Sequence, residues 1–88
     1  MKTVVFYEHA DAPMEKFMEV FPRHQVVEDQ FLKTGKILGT GAFSIPGEGA
    51  MAIFSDRVTA EEFVKQDPFV LEGLIAKVTI KDWNDEIL

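Results

Sequence analysis

With 88 residues, 47% of them hydrophobic, the chain has material for one domain with one modest core and none for separate catalytic and regulatory halves. Fifteen acidic against nine basic residues give a net charge of −6, and no Lys/Arg cluster exceeds a pair. That excludes the basic footprint a phosphate backbone requires, so nucleic acid is not an expected partner. The absence of cysteine excludes disulfides, thiolate catalysis and Cys-ligated zinc or iron–sulfur centres, and it suits a reducing cytoplasm, the expected location.

The first element, Thr3–Glu8 (TVVFYE), is rich in β-branched and aromatic residues and predicts a strand that is apolar on both faces and lies inside a sheet. Its apolar run Val4–Tyr7 is too short for a signal segment, Glu8 interrupts it, and no stretch approaches spanning length; no membrane association is expected. Residues His9–Phe21 mix turn signals with scattered apolar anchors. Pro22 suits a first helical position, which predicts a first helix over Pro22–Thr34, stopped by Gly35. Lys36–Phe43 and Gly49–Ser55 predict two antiparallel strands joined by a loop containing Pro46 and two glycines. Asp56 is a good N-cap for a second helix over Arg57–Gln66. Asp67–Gly73 (DPFVLEG) predicts a tight junction with a short helical turn. Leu74–Trp83 then alternates between an apolar and a more polar face, as an edge strand does.

The resulting order, β-α-β-β-α-β, predicts an α+β fold of the ferredoxin-like type in one domain, residues 1–88, with helices on one face of a four-stranded antiparallel sheet. Strands one and three are central in that topology, and these are the two that are apolar on both sides. One layer of helices covers only one face. The other predicts a homodimer formed sheet to sheet.

On the second helix Ala60, Phe63 and Val64 follow the spacing of a buried stripe, and the next position of that stripe is Asp67. On the first helix Val27 and Phe31 share a face that begins with His24. The topology sets the two helices antiparallel and brings His24 and Asp67 to one end of the molecule. Tyr7, Gly41 and Gly73 are expected at the same end, the glycines leaving room for a small-molecule ligand and Phe43 and Phe69 supplying apolar walls. A carboxylate bonded to one ring nitrogen fixes the tautomer of an imidazole and raises its pKa, leaving the other nitrogen to take or return a proton near neutrality. With no serine or cysteine nucleophile at this end, that points to isomerisation or HX elimination next to a carbonyl rather than acyl transfer.

Each residue also has a plainer reading. Asp67 before Pro68 is a common helix cap, and one oxygen can cap while the other faces His24. His24 can be a satisfied histidine near a helix start. Glu28, four residues on, can pair with His24 or stand as a solvated acid, the reading favoured from sequence. His9 and Asp11 are too few ligands for a transition metal, so neither metal nor cofactor is expected. Gly39-Thr40-Gly41 is strand-end geometry rather than a phosphate loop. Trp83 is expected to pack or to contact a partner copy. The alternative to an enzyme is a non-catalytic dimeric module that binds a small ligand or a protein in the same cleft.

The segments VVFYE, FPRHQ with His24, GKILGTGAF, GAMAIF, AEEFVKQDPFVLEGL with Asp67, and KDWN together resemble the YCII-related (YciI-like) family over nearly the whole chain. The resemblance implies a ferredoxin-like fold, dimerisation into an α/β barrel, and an active site whose histidine and aspartate match His24 and Asp67. Related proteins include dehydrochlorinase-type enzymes and relatives of muconolactone isomerase. Where many members carry Gly-Pro after the second strand, this chain has Gly-Thr-Gly-Ala-Phe.

Overall fold

The computed structural model describes every residue from Met1 to Leu88. In chain order the elements are β1 (Lys2–His9), α1 (Met14–Leu32), β2 (Ile37–Ala42), β3 (Ala50–Phe54), α2 (Arg57–Gln66), α3 (Pro68–Leu71) and β4 (Ile75–Trp83). The sheet order is β2-β3-β1-β4, and every neighbouring pair is antiparallel. This is a ferredoxin-like α+β fold, with the doubly apolar strands β1 and β3 in the middle and β4 on an edge.

The β1–β3 register sorts the side chains by face. Thr3, Val5 and Tyr7 pair with Phe54, Ala52 and Ala50 and point toward the helices, while Val4 and Phe6 pair with Ile53 and Met51 on the other face. The helix-facing core is built from Val5, Tyr7, Ile37, Ala52 and Phe54 beneath Ala60 and Phe63 of α2, with Val27 and Phe31 of α1 packed against it. Side-chain size is uneven along that face. Phe54 fills one end, whereas Ala50 and Ala52 of β3 and Ala42 of β2 leave the other end shallow.

Asp56 caps α2 as expected, accepting a hydrogen bond from the Thr59 backbone N–H at 2.8 Å. Gly49 enters β3 at a φ of +95°, and a Cβ there would collide with the Tyr7 carbonyl oxygen. Only glycine lets the hairpin close against β1 at that point.

The first helix departs from the expectation. It begins at Met14, not Pro22, and ends at Leu32, so Pro22 lies inside it and His24 in its middle rather than near its start. The reason is a longer apolar stripe than Val27 and Phe31 alone reveal. Phe17, Val20, His24, Val27 and Phe31 recur at alternating spacings of three and four, and Val20 is completely buried. Pro22 stands off that stripe on the exposed side, where water can reach the Met18 carbonyl left without its i+4 donor. Burial of the stripe outweighs the proline's penalty, about 3 kcal/mol in an ordinary helix interior.

Pro22→Ala therefore restores a backbone donor without touching the core. It is expected to stabilise the protein by about 1–3 kcal/mol, read as a higher midpoint with an unchanged slope in urea unfolding.

Candidate functional site

Asp67 belongs to neither flanking helix. Its backbone is extended (φ −68°, ψ 117°), closing α2 and opening α3, with Pro68 at the first position of α3. Its side chain is fully buried, so each carboxylate oxygen must find donors within the protein. Oδ1 accepts from the Phe69 backbone N–H at 3.0 Å and from His24 Nδ1 at 2.8 Å. Oδ2 accepts from the Tyr7 hydroxyl at 2.8 Å. Capping and contact with His24 are thus compatible, but one oxygen performs both tasks and the second belongs to Tyr7.

The third partner was legible as a wall residue but not as a donor. Tyr7 is the one tyrosine of the chain and shares the inward parity of Val5; a phenol buried on that side needs an acceptor, which is the signal that points to an acid nearby. Burial, the charge of Asp67 and the hydrogen bond to it all push the Tyr7 pKa far up, so the phenol is a neutral donor.

His24 is held on both sides. Besides Asp67 at Nδ1, its Nε2 lies 3.1 Å from Glu28 Oε2, one helical turn further along α1. This corrects two expectations. Nε2 is not left free, and Glu28 is not a solvated acid, its side chain being only 18% exposed. The turn of the helix that separates the two residues already allowed the pairing.

With both carboxylates ionised neither can donate, so two such bonds correspond to a proton on each ring nitrogen, the imidazolium form of His24. The electrostatics agree. Burial lowers the pKa of the ring, but the hydrogen bond and charge of Asp67 and the charge and hydrogen bond of Glu28 together outweigh it, and the net shift is upward. The ring stacks on Phe69 at 4.4 Å between centroids and 23° between planes, which offers a cation the negative face of an aromatic.

Beside this cluster opens a cavity of about 600 Å³, in the size range of small-molecule sites. Its floor is the shallow end of the sheet, with Thr40, Gly41, Ala42, Ala50 and Ala52. Phe17, Phe21, His24 and Glu28 of α1 form one wall, and Phe43 to Gly47 of the hairpin loop form the other. Tyr7 and Phe69 close the inner end. Among the expected ligand contacts, Tyr7, Gly41, Phe43 and Phe69 line the cavity. Gly73 does not; at a φ of +73° it turns the chain from α3 toward β4. The sequence did not single out Phe17 and Phe21, which fall in the part of α1 read as loop. His9 also reaches the cavity, its ring 4.9 Å from that of Phe17.

Tyr7→Phe removes a hydrogen bond to a buried carboxylate and adds nothing in its place. The expected cost is about 1.5–3 kcal/mol of stability, measurable by urea unfolding, with the fold retained because the ring still packs in the same core.

No protein of curated function matches the sequence. The fold is similar to that of 5-chloro-2-hydroxyhydroquinone dehydrochlorinase (TftG) from Burkholderia phenoliruptrix AC1100, solved in complex with 2,5-dihydroxybenzoquinone, with a TM-score of 0.80 and 18% sequence identity over 98% of this chain and 96% of that one. The YCII-related domain model matches residues 1–84, and on that match the chain belongs to the YCII-related domain family.

Proposed function

We propose that the protein is a small enzyme in which His24, oriented by Asp67, carries out general acid–base chemistry on a small carbonyl or cyclic compound. The observation that carries this reading is the 2.8 Å hydrogen bond from a cavity-wall imidazole to a fully buried carboxylate. Asp67 holds the ring in one orientation and keeps its charged form favourable, and Nε2 is the nitrogen turned to the cavity side with Glu28. From the imidazolium, chemistry begins with donation. Nε2 gives its proton to a ligand oxygen or to a departing X, and the neutral ring then takes a proton from the ligand. In isomerisation the donated proton stays on one atom of the ligand while the ring removes another proton from a different atom; in elimination the donated proton departs with X as HX. Either way the imidazolium is restored and no redox partner is needed. The dehydrochlorinase activity named for the similar structure is of the second kind.

A second reading, a non-catalytic dimeric binding module, has its own support, because Glu28 occupies Nε2 in the free protein. Turnover separates the two. On a substrate found by screening chlorinated and hydroxylated cyclic compounds, His24→Ala is expected to lower kcat by about 10²–10⁴-fold; binding without turnover would leave the module.

The charge coupling itself is tested by following His24 and His9 by NMR in the wild type and in Asp67→Asn, which keeps a capping side chain and removes the charge. The His24 pKa is expected to lie above the ordinary histidine value and to fall in the variant. Because the raised value belongs to the folded state, the stability it confers is fully present below the unfolded value, about 6.5, and is lost as pH rises through the folded one. Wild-type stability should therefore decline as pH rises above about 6.5, and Asp67→Asn should flatten that decline. A His24 resonance indifferent to the substitution would reduce Asp67 to a helix cap.

The proposal includes a cytoplasmic homodimer. No helix is long and apolar enough to cross a membrane. The sheet face away from the helices carries Val4, Phe6, Met51, Ile53 and Trp83 around a shallow groove, and a second copy would cover it. Light scattering at micromolar concentration is expected to give twice the 9.9 kDa chain mass, and Phe6→Glu to halve it. A monomeric wild type would overturn the dimer.

A further inference from the structure

Glu28 is placed to decide which ligands the cavity accepts. It lines the cavity, and only its Oε2 is engaged, by His24 Nε2; Oε1 has no protein partner. No lysine or arginine lines the cavity. Two imidazoles line it: His9, whose ring lies against Phe17, and His24, both of whose N–H groups are directed at carboxylates, Asp67 at 2.8 Å and Glu28 at 3.1 Å. Two carboxylates against one imidazolium leave the α1 wall of a largely apolar cavity with a surplus negative charge, in a setting where water screens poorly.

An anionic ligand and an uncharged donor therefore meet different sites. For an anion the charged donor of this cluster is Nε2–H, and to reach it the ligand must expel Glu28. That competitor is tethered one helical turn away, at an effective concentration in the millimolar range or above, and once expelled it still repels the newcomer. An uncharged ligand with an O–H or N–H group breaks nothing. On binding it donates to the open Oε1 while Glu28 stays on His24, and Glu28 leaves Nε2 only when proton transfer to the ligand begins.

We propose that Glu28 is a specificity-determining residue that selects uncharged hydrogen-bond donors over anions. This rests on reading the His24–Asp67 cluster as the ligand site. The role differs from that of a mere helix-surface partner for His24, which would leave ligand charge without consequence.

Benzamide and benzoate share size and shape and differ in charge, which makes them suitable probes. Their dissociation constants are to be measured by NMR titration at one fixed pH near neutrality for the wild type, Glu28→Gln and Glu28→Ala, with unfolding curves confirming that each variant is folded. The glutamine keeps shape and an acceptor; the alanine opens Nε2. The wild type is expected to favour benzamide, and both variants to shift the benzoate-to-benzamide affinity ratio toward benzoate by about tenfold or more. In the variants benzoate should also move the His24 ring resonances, because the anion takes the vacated N–H. The proposal is overturned if the wild type binds benzoate as tightly as benzamide, if benzamide gives no saturable shift, or if both substitutions change the ratio by less than about threefold. The Asp67→Asn titration keeps the two proposals apart. An unchanged ratio with His24 still coupled to Asp67 removes only the role of Glu28, whereas loss of that coupling removes the acid–base reading itself.

Discussion

A single buried carboxylate ties the three parts of this small fold together. Asp67 receives the Tyr7 hydroxyl from β1, the His24 ring from the middle of α1, and the Phe69 backbone N–H from the start of α3. A carboxylate taken fully out of water is tolerated only when its oxygens are met by donors and its charge by an opposite one. The two neutral donors meet the first demand and the imidazolium the second. Loss of any one leaves a buried charge under-compensated, so the cluster positions sheet, first helix and helical junction as one unit. No buried polar side-chain atom in the protein lacks a partner.

The cavity arises from a different constraint, the gradient of side-chain size along the helix-facing side of the sheet. Phe54 fills one end beneath α2, while the alanines at the other end leave space under the helical layer. The space falls where the carboxylate cluster is, because Tyr7 reaches Asp67 from the same end of β1 at which Ala50 pairs with it. Packing and polarity thus produce a pocket with an apolar floor and a charged wall.

Most of this architecture could be read from residue patterns. β-branched runs located the strands, the Asp56 cap located α2, and the doubly apolar runs of β1 and β3 identified the central pair. The convergence of His24 and Asp67 followed from topology together with two helical stripes. What stayed hidden has specific physical causes. Pro22 is a strong local signal, and it concealed a helix that long-range burial of Phe17 and Val20 sustains through it. With the first helical turns read as loop, Phe17 and Phe21 were absent from the expected cavity wall. Glu28 was ambiguous because helical spacing says which residues can meet, while only tertiary packing says which of them water reaches. Gly73 was assigned to the cavity by its position at the right end of the fold, yet its positive φ serves the turn.

The register between β1 and β3 has a further consequence for how such a site can vary. Alternate residues of β1 serve opposite sides: Val5 and Tyr7 border the cavity, while Val4 and Phe6 border the groove on the outer face. A slip of one residue would exchange them, exposing the cavity residues and burying the others. The strand is therefore an inflexible divider, and neither side can be reshaped by sliding it. Freedom to accommodate a differently shaped ligand is left to the walls that belong to one side only, the exposed turns of α1 and the loop between β2 and β3.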